Sequence, residues 1–78
     1  MQPEDVRHWV LVYRQLVAFK EQMLEETYQA MTNIQPDART EVGRTDAVVL
    51  KAEWERLRRR LDFWEERLRK LQAASARR

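Results

Sequence analysis

Basic side chains and one aromatic ring share a face in the second half of the chain. At about 100° per residue on a helix, Phe63 has cations one and two turns away on either side. The set is Arg56, Arg59, Arg60, Phe63, Arg67 and Lys70. Guanidinium and ammonium groups bind carboxylates and phosphates, and an aromatic ring can anchor a contact or stack on a base. This set, the basic stripe, is the candidate surface for an acidic partner or a nucleic-acid backbone.

The same pattern also has a purely structural interpretation, which we favour. Three basic residues follow a glutamate by four positions, the favourable spacing for a helix ion pair, in the pairs Glu55 with Arg59, Glu65 with Arg69, and Glu66 with Lys70. Such a face is typical of a solvated coiled-coil surface. Arginine stems would then cover the Phe63 ring, or the ring would pack in a further helix contact inside an oligomer.

No arrangement of residues indicates catalysis. The single histidine, His8, has no serine or cysteine at helical spacing, so a nucleophilic site lacks its parts. His8 lies near Glu4 and Asp5, but such a group at a helix start is more often solvated than bound to metal. Gly43 stands alone, so there is no glycine-rich phosphate loop. We expect a protein that is not an enzyme, with no catalytic residue, metal, cofactor or small-molecule substrate.

Helices must carry these residues, because the second half of the chain holds an unbroken seven-residue apolar repeat. Steps of three and four alternate without a gap through Ala47, Leu50, Trp54, Leu57, Leu61, Trp64, Leu68 and Leu71. This spacing forms one narrow stripe that is stable only against another helix. One glycine, two prolines and 36% charged residues also favour long helices over a sheet. The predicted fold class is all-α.

We predict one domain, residues 1–78, folded as a two-helix antiparallel hairpin. Helix 1 is expected over about 3–33, a connection over about 34–45, and helix 2 over about 46–74. The connection can accommodate a short helical turn, and Thr45 or Asp46 can cap helix 2.

In such a hairpin, residues whose numbers sum to about 79 lie opposite each other. This register pairs Leu16 with Trp64 and Trp9 with Leu71.

The apolar residues of helix 1 spread over about half of its circumference, which is wider than one helix can cover. A second copy of the chain is the simplest partner that could cover the rest of this arc, so we predict a four-helix bundle formed by dimerisation. The predicted packing interface is Trp9, Tyr13, Leu16, Phe19 and Met23 with Leu50, Trp54, Leu57, Leu61, Trp64, Leu68 and Leu71. Lys20 lies inside the arc, where it either pairs with a glutamate of another helix or extends its ammonium group to water.

Size and charge bear on association and location. A chain of 78 residues without cysteine is near the lower limit for a free-standing core, which favours an oligomer. Residues 1–40 hold four basic and six acidic residues, and residues 41–78 hold eleven and seven, so unlike helices attract. There is no signal-peptide pattern and no apolar stretch of membrane-spanning length. We expect a cytoplasmic protein without a membrane partner.

The function predicted from these features is a non-enzymatic protein–protein interaction or assembly module that self-associates as a homodimer. One alternative is a small nucleic-acid-binding regulator that uses the basic stripe. The other is one half of a hetero-oligomeric complex, in which another helical protein covers helix 1. Steeply salt-dependent binding would mark the first alternative, and an exposed apolar face on the purified chain would mark the second.

Overall fold

The computed structural model describes residues 2–77, and these residues form helices without any strand. Helix α1 is Pro3–Met31, α2 is Pro36–Arg44 and α3 is Asp46–Ala76. The two long helices pack against each other as a hairpin. With 91% of the structure helical, the predicted all-α fold class is confirmed. The predicted connection contains α2.

Local chemistry explains both ends of α1. Pro3 occupies its first turn, where a missing backbone N–H costs nothing, and Glu4 and Asp5 follow where the helix dipole favours acids. The helix ends at Met31, two residues earlier than predicted. Arg39 of α2 reaches back to this end, and its Nε donates to the Met31 carbonyl at 2.9 Å. The short helix α2 therefore supplies a cation to the negative end of α1.

A break at Thr45 separates α2 from α3. Thr45 has φ −115° and ψ −86°, outside helical values. Its hydroxyl donates to the Glu41 carbonyl at 2.8 Å, so it closes α2 and does not form the predicted cap on α3. The Cα envelope measures 61 × 16 × 15 Å. A helix as long as α3 spans about 46 Å, so α2 lengthens the rod beyond it.

The core lies along the contact between the two long helices, where each contributes a heptad seam. All eight members of the predicted repeat of α3 are buried or half-buried. On α1, the side turned toward α3 also follows alternating steps of three and four. We call this side the inner seam: Val6, Val10, Tyr13, Val17, Lys20, Leu24, Thr27 and Met31. Because Lys20 and Thr27 interrupt its apolar character, the seam is not evident in the sequence.

The contacts between the two long helices follow the predicted register only in part. Trp9 stacks on Trp64 with ring centroids 6.1 Å apart, so the predicted pairing of Trp9 with Leu71 is wrong. These two residue numbers sum to 73, as do those of the ion pair between Lys20 and Glu53. The numbers of Trp54 and Glu21 sum to 75 and those of Arg14 and Glu65 to 79, so the contacts range from the predicted sum to about six below it. The early end of α1 at Met31 explains part of the difference, because it moves the centre of the turn toward the N-terminus.

None of the helices in the described part of the chain combines the length and the apolar character that crossing a membrane requires.

Candidate interaction surface

A second apolar row of α1 lies at the edge of the contact with α3, which it reaches through the stacking of Trp9 on Trp64. It consists of Trp9, Val12, Leu16, Phe19 and Met23, again at steps of three and four. We call it the outer row, and its axis lies about 100° around the helix from the inner seam. Trp9 and Leu16 are each 39% exposed and Phe19 is 59% exposed. The broad apolar arc of α1 is thus two adjacent seams, and α3 covers one of them.

The predicted packing residues divide between these two environments. Those of α3 are all buried or half-buried against α1, whereas Trp9, Leu16 and Phe19 of α1 are exposed in the single chain. Tyr13 and Met23 are half-buried. Sequence reasoning omitted the three most buried residues of α1 from the interface, namely Val6, Val10 and Val17. Their spacing, together with Leu24 and Met31, was the signal that could have identified them.

The cations of the basic stripe have no carboxylate partner. Among residues 2–77, no Asp or Glu oxygen lies within 4.0 Å of the charged nitrogens of Arg56, Arg59, Arg60, Arg67 or Lys70. The predicted helix ion pairs are therefore wrong.

Two of the three glutamates in the predicted pairs, Glu65 and Glu66, have other partners. Glu65 reaches across the hairpin to Arg14 at 3.7 Å. Glu66 accepts a hydrogen bond from Arg69 Nε at 3.1 Å, and this guanidinium lowers the pKa of the Glu66 carboxyl. Glu65 and Glu66 thus form their ion pairs with Arg14 and Arg69, which lie outside the stripe.

Phe63 is covered on one side only. The guanidinium carbon of Arg60 lies 5.6 Å from the Phe63 ring centroid and 5.7 Å from that of Tyr13, both within cation–π range. The edge of Phe63 meets Trp64 at a centroid distance of 5.2 Å. Phe63 nevertheless remains 52% exposed. One arginine thus accounts for part of the ring, and the rest of it is open to a partner.

The outer row and the basic stripe lie on the same flank of the hairpin. Arg60 bridges from the stripe to Tyr13, which lies between the inner seam and the outer row, and Trp9 stacks on Trp64 beside Phe63. The ion pair between Lys20 and Glu53 closes the gap between the helices on this side. We call this surface the open flank: an apolar half from α1 beside a cationic half from α3.

The two seam tryptophans of α3 differ in how their indole N–H groups are satisfied. Trp54 Nε1 donates to Glu21 Oε1 at 3.0 Å, beside a shallow apolar groove on the opposite flank. Trp64 is 9% exposed, and its Nε1 has no acceptor among the described residues. A buried donor without an acceptor costs about 1–3 kcal/mol. Trp64 therefore buries a large apolar ring in the core, but its unsatisfied indole N–H lowers the stability that this burial provides.

The described residues do not assemble a site for metal chemistry. Within residues 2–77, no three His, Cys, Asp or Glu side chains come close enough to hold an ion together. The open flank combines exposed apolar side chains with cations that can attract anions.

Comparison with known proteins identified no relative: no family model, no curated protein and no solved structure matches the chain.

Substituting Trp64 and Trp54 by phenylalanine, one at a time, tests whether the buried indole N–H of Trp64 destabilises the protein. Trp64→Phe deletes an unsatisfied donor and keeps most of the ring, so we expect the free energy of unfolding to change by less than about 1 kcal/mol. Trp54→Phe is the matched variant, and it deletes a donor that binds a carboxylate, so it should destabilise the protein more. Urea unfolding followed by circular dichroism measures both. A larger loss of stability in Trp64→Phe than in Trp54→Phe would contradict the conclusion that Trp64 Nε1 has no acceptor.

Proposed function

We propose that the chain is a non-enzymatic assembly module that forms a homodimer through the open flank, giving an antiparallel four-helix bundle. The observation that carries this proposal is the outer row of α1. Five apolar side chains follow heptad spacing in this row. Three of them, Trp9, Leu16 and Phe19, are exposed to solvent. Heptad spacing is useful only against another helix, and α3 already occupies the inner seam.

The accessible surface of the single chain supports a missing partner. The hairpin exposes 6105 Å². A compact monomer of the same mass would expose about 5,000 Å². The difference is about 1,000 Å², similar to the roughly 800 Å² that each partner buries in a standard protein interface. The area that the hairpin exposes beyond that of a compact monomer is thus about the area that one partner buries in a standard interface.

Apolar burial is the term that can hold such a dimer together. Covering a Leu or Phe side chain completely contributes about 1.5–3 kcal/mol, and half of that is available where the side chain is half-exposed. A surface ion pair contributes only about 0–1 kcal/mol. The outer row, present twice in a dimer, therefore outweighs the charges of the flank, which can influence orientation.

The proposed partner is a second copy of this chain, and the proposed location is the cytoplasm. The location is supported by the absence of cysteine, a composition that suits a reducing compartment. A different helical protein on the outer row would give a hetero-oligomer, which the mass of the purified chain distinguishes.

A second candidate function is nucleic-acid binding by the basic stripe. Five cations without carboxylate partners surround a half-exposed aromatic ring, and such sites bind phosphates while stacking a base. The dimer proposal accounts for the outer row but leaves these cations without a partner, which is why this candidate is retained.

Light scattering behind size-exclusion chromatography tests the dimer. We expect the purified chain to have twice its 9.5 kDa mass at micromolar concentration. Leu16→Glu should give a monomer, because it places a carboxylate in the apolar contact. Leu11→Glu is the matched control, since Leu11 is 54% exposed on a side of α1 away from both seams, and it should remain a dimer. A wild-type chain that stays folded and monomeric at every concentration would refute the proposal.

Binding of a fluorescent single-stranded oligonucleotide tests the second candidate. If all five cations contact phosphates, affinity should fall about 100-fold between 50 and 200 mM salt. Arg59→Glu and Phe63→Ala should each weaken binding at low salt, whereas Lys51→Glu, on the opposite flank, should have a smaller effect. Undetectable binding, or binding that does not change with salt, would eliminate this candidate.

A further inference from the structure

The geometry points to one specific arrangement of the two copies, and this inference rests on the proposed function. We infer that the dimer forms through α1 of each copy, that the two α1 helices run antiparallel, and that Leu16 lies on the two-fold axis. The partner of the outer row is then the outer row of a second copy.

The order of side chains in the outer row is nearly symmetric about its centre. Trp9 and Met23 lie seven residues to either side of Leu16, and Val12 and Phe19 lie four and three residues away. A two-fold axis perpendicular to α1 at Leu16 places each residue of one copy next to a residue of the second copy. The numbers of the two paired residues add up to about 32. Trp9 then meets Met23 of the second copy, and Val12 meets Phe19. Each contact is apolar on both sides, and large rings face smaller or more flexible side chains.

Polar residues limit this contact at both ends. Asp5 precedes Trp9 by four residues and Glu26 follows Met23 by three, so both continue the same spacing. Both are exposed in the single chain. In the antiparallel dimer they lie at the rim, where water and salt screen their mutual repulsion. The apolar contact therefore extends over four turns of α1 and ends where the sequence becomes acidic.

The alternative arrangement places the outer row of one copy against α3 of the other. Opposite net charges favour it at long range, as the charge of the two halves of the chain suggests. Close contact, however, would press Arg56, Arg60 and Arg67 onto Trp9, Leu16 and Phe19. The outer row has no carboxylate to receive these cations, and burying an unpaired charge costs more than a screened surface attraction returns. With α1 on α1, the two outer rows cover each other and no cation of the basic stripe is pressed onto Trp9, Leu16 or Phe19.

Disulfide trapping tests this arrangement, because the chain has no cysteine of its own. A residue on a two-fold axis lies next to itself in the second copy, so the Leu16→Cys protein should form a covalent dimer on mild oxidation, in which two thiols become one disulfide. Leu11→Cys and Phe63→Cys are controls at residues that are more exposed in the single chain than Leu16, so exposure alone would make them crosslink faster. We expect Leu16→Cys to crosslink at least tenfold faster than either control, as seen on non-reducing gels.

A pair of variants covers a small displacement of the axis from Leu16. In a mixture of Val12→Cys and Phe19→Cys chains, the mixed disulfide should form faster than either homodisulfide. Circular dichroism confirms that each variant is folded before it is oxidised.

The outcomes separate this inference from the proposed function on which it rests. A wild-type dimer in which Leu16→Cys crosslinks no faster than Leu11→Cys would overturn the inference alone. Rapid mixed crosslinking of Leu16→Cys with Arg60→Cys would assign the contact to α1 on α3 in its place. A monomeric wild-type chain would overturn both.

Discussion

Helix α1 has two apolar seams about 100° apart, and one helix can cover only one of them. Both the buried core and the exposed surface of the hairpin follow from this constraint. The inner seam takes α3 and forms the core of Val6, Val10, Val17, Leu57, Leu61 and Trp64. The outer row, with the large side chains Trp9, Leu16 and Phe19, remains at the surface. The valines of α1 thus form the centre of the hairpin core, and the larger Leu16 and Phe19 remain partly or mostly exposed.

Polar interactions position the two seams without supplying most of the energy. Lys20 occupies a seam position and pairs with Glu53, which favours one register of α1 on α3. Arg39 of α2 donates hydrogen bonds to the carbonyls of Met31 and Ile34, which ties α2 to the end of α1. These contacts aim the outer row and the basic stripe in the same direction, and a two-sided surface results. A two-helix core of this size supplies little stability by itself, so association and folding are expected to be coupled.

Sequence reasoning succeeded where a pattern was complete and local. The repeat from Ala47 to Leu71 has no polar interruption, and it predicted both the helix and the face of α3 that is buried. In α1, Lys20 and Thr27 occupy seam positions, so two seams looked like one broad arc. The predicted pair of Glu65 with Arg69 failed for another reason: Glu65 binds Arg14 on the other helix, and that choice depends on a register that spacing within α3 does not contain. The members of the basic stripe were predictable from helical periodicity, but their lack of carboxylate partners was not.

The most direct test of the central claim is the dependence of thermal stability on protein concentration. If the outer row is covered by a second copy, unfolding is coupled to dissociation, and the midpoint of thermal unfolding rises with the concentration of the chain. Circular dichroism melts over a 100-fold concentration range would show this directly. The account predicts a midpoint that rises by several degrees across the range. A midpoint that stays constant, for a chain that is monomeric and cooperatively folded, would show that α1 is stable with its outer row exposed and would contradict the account.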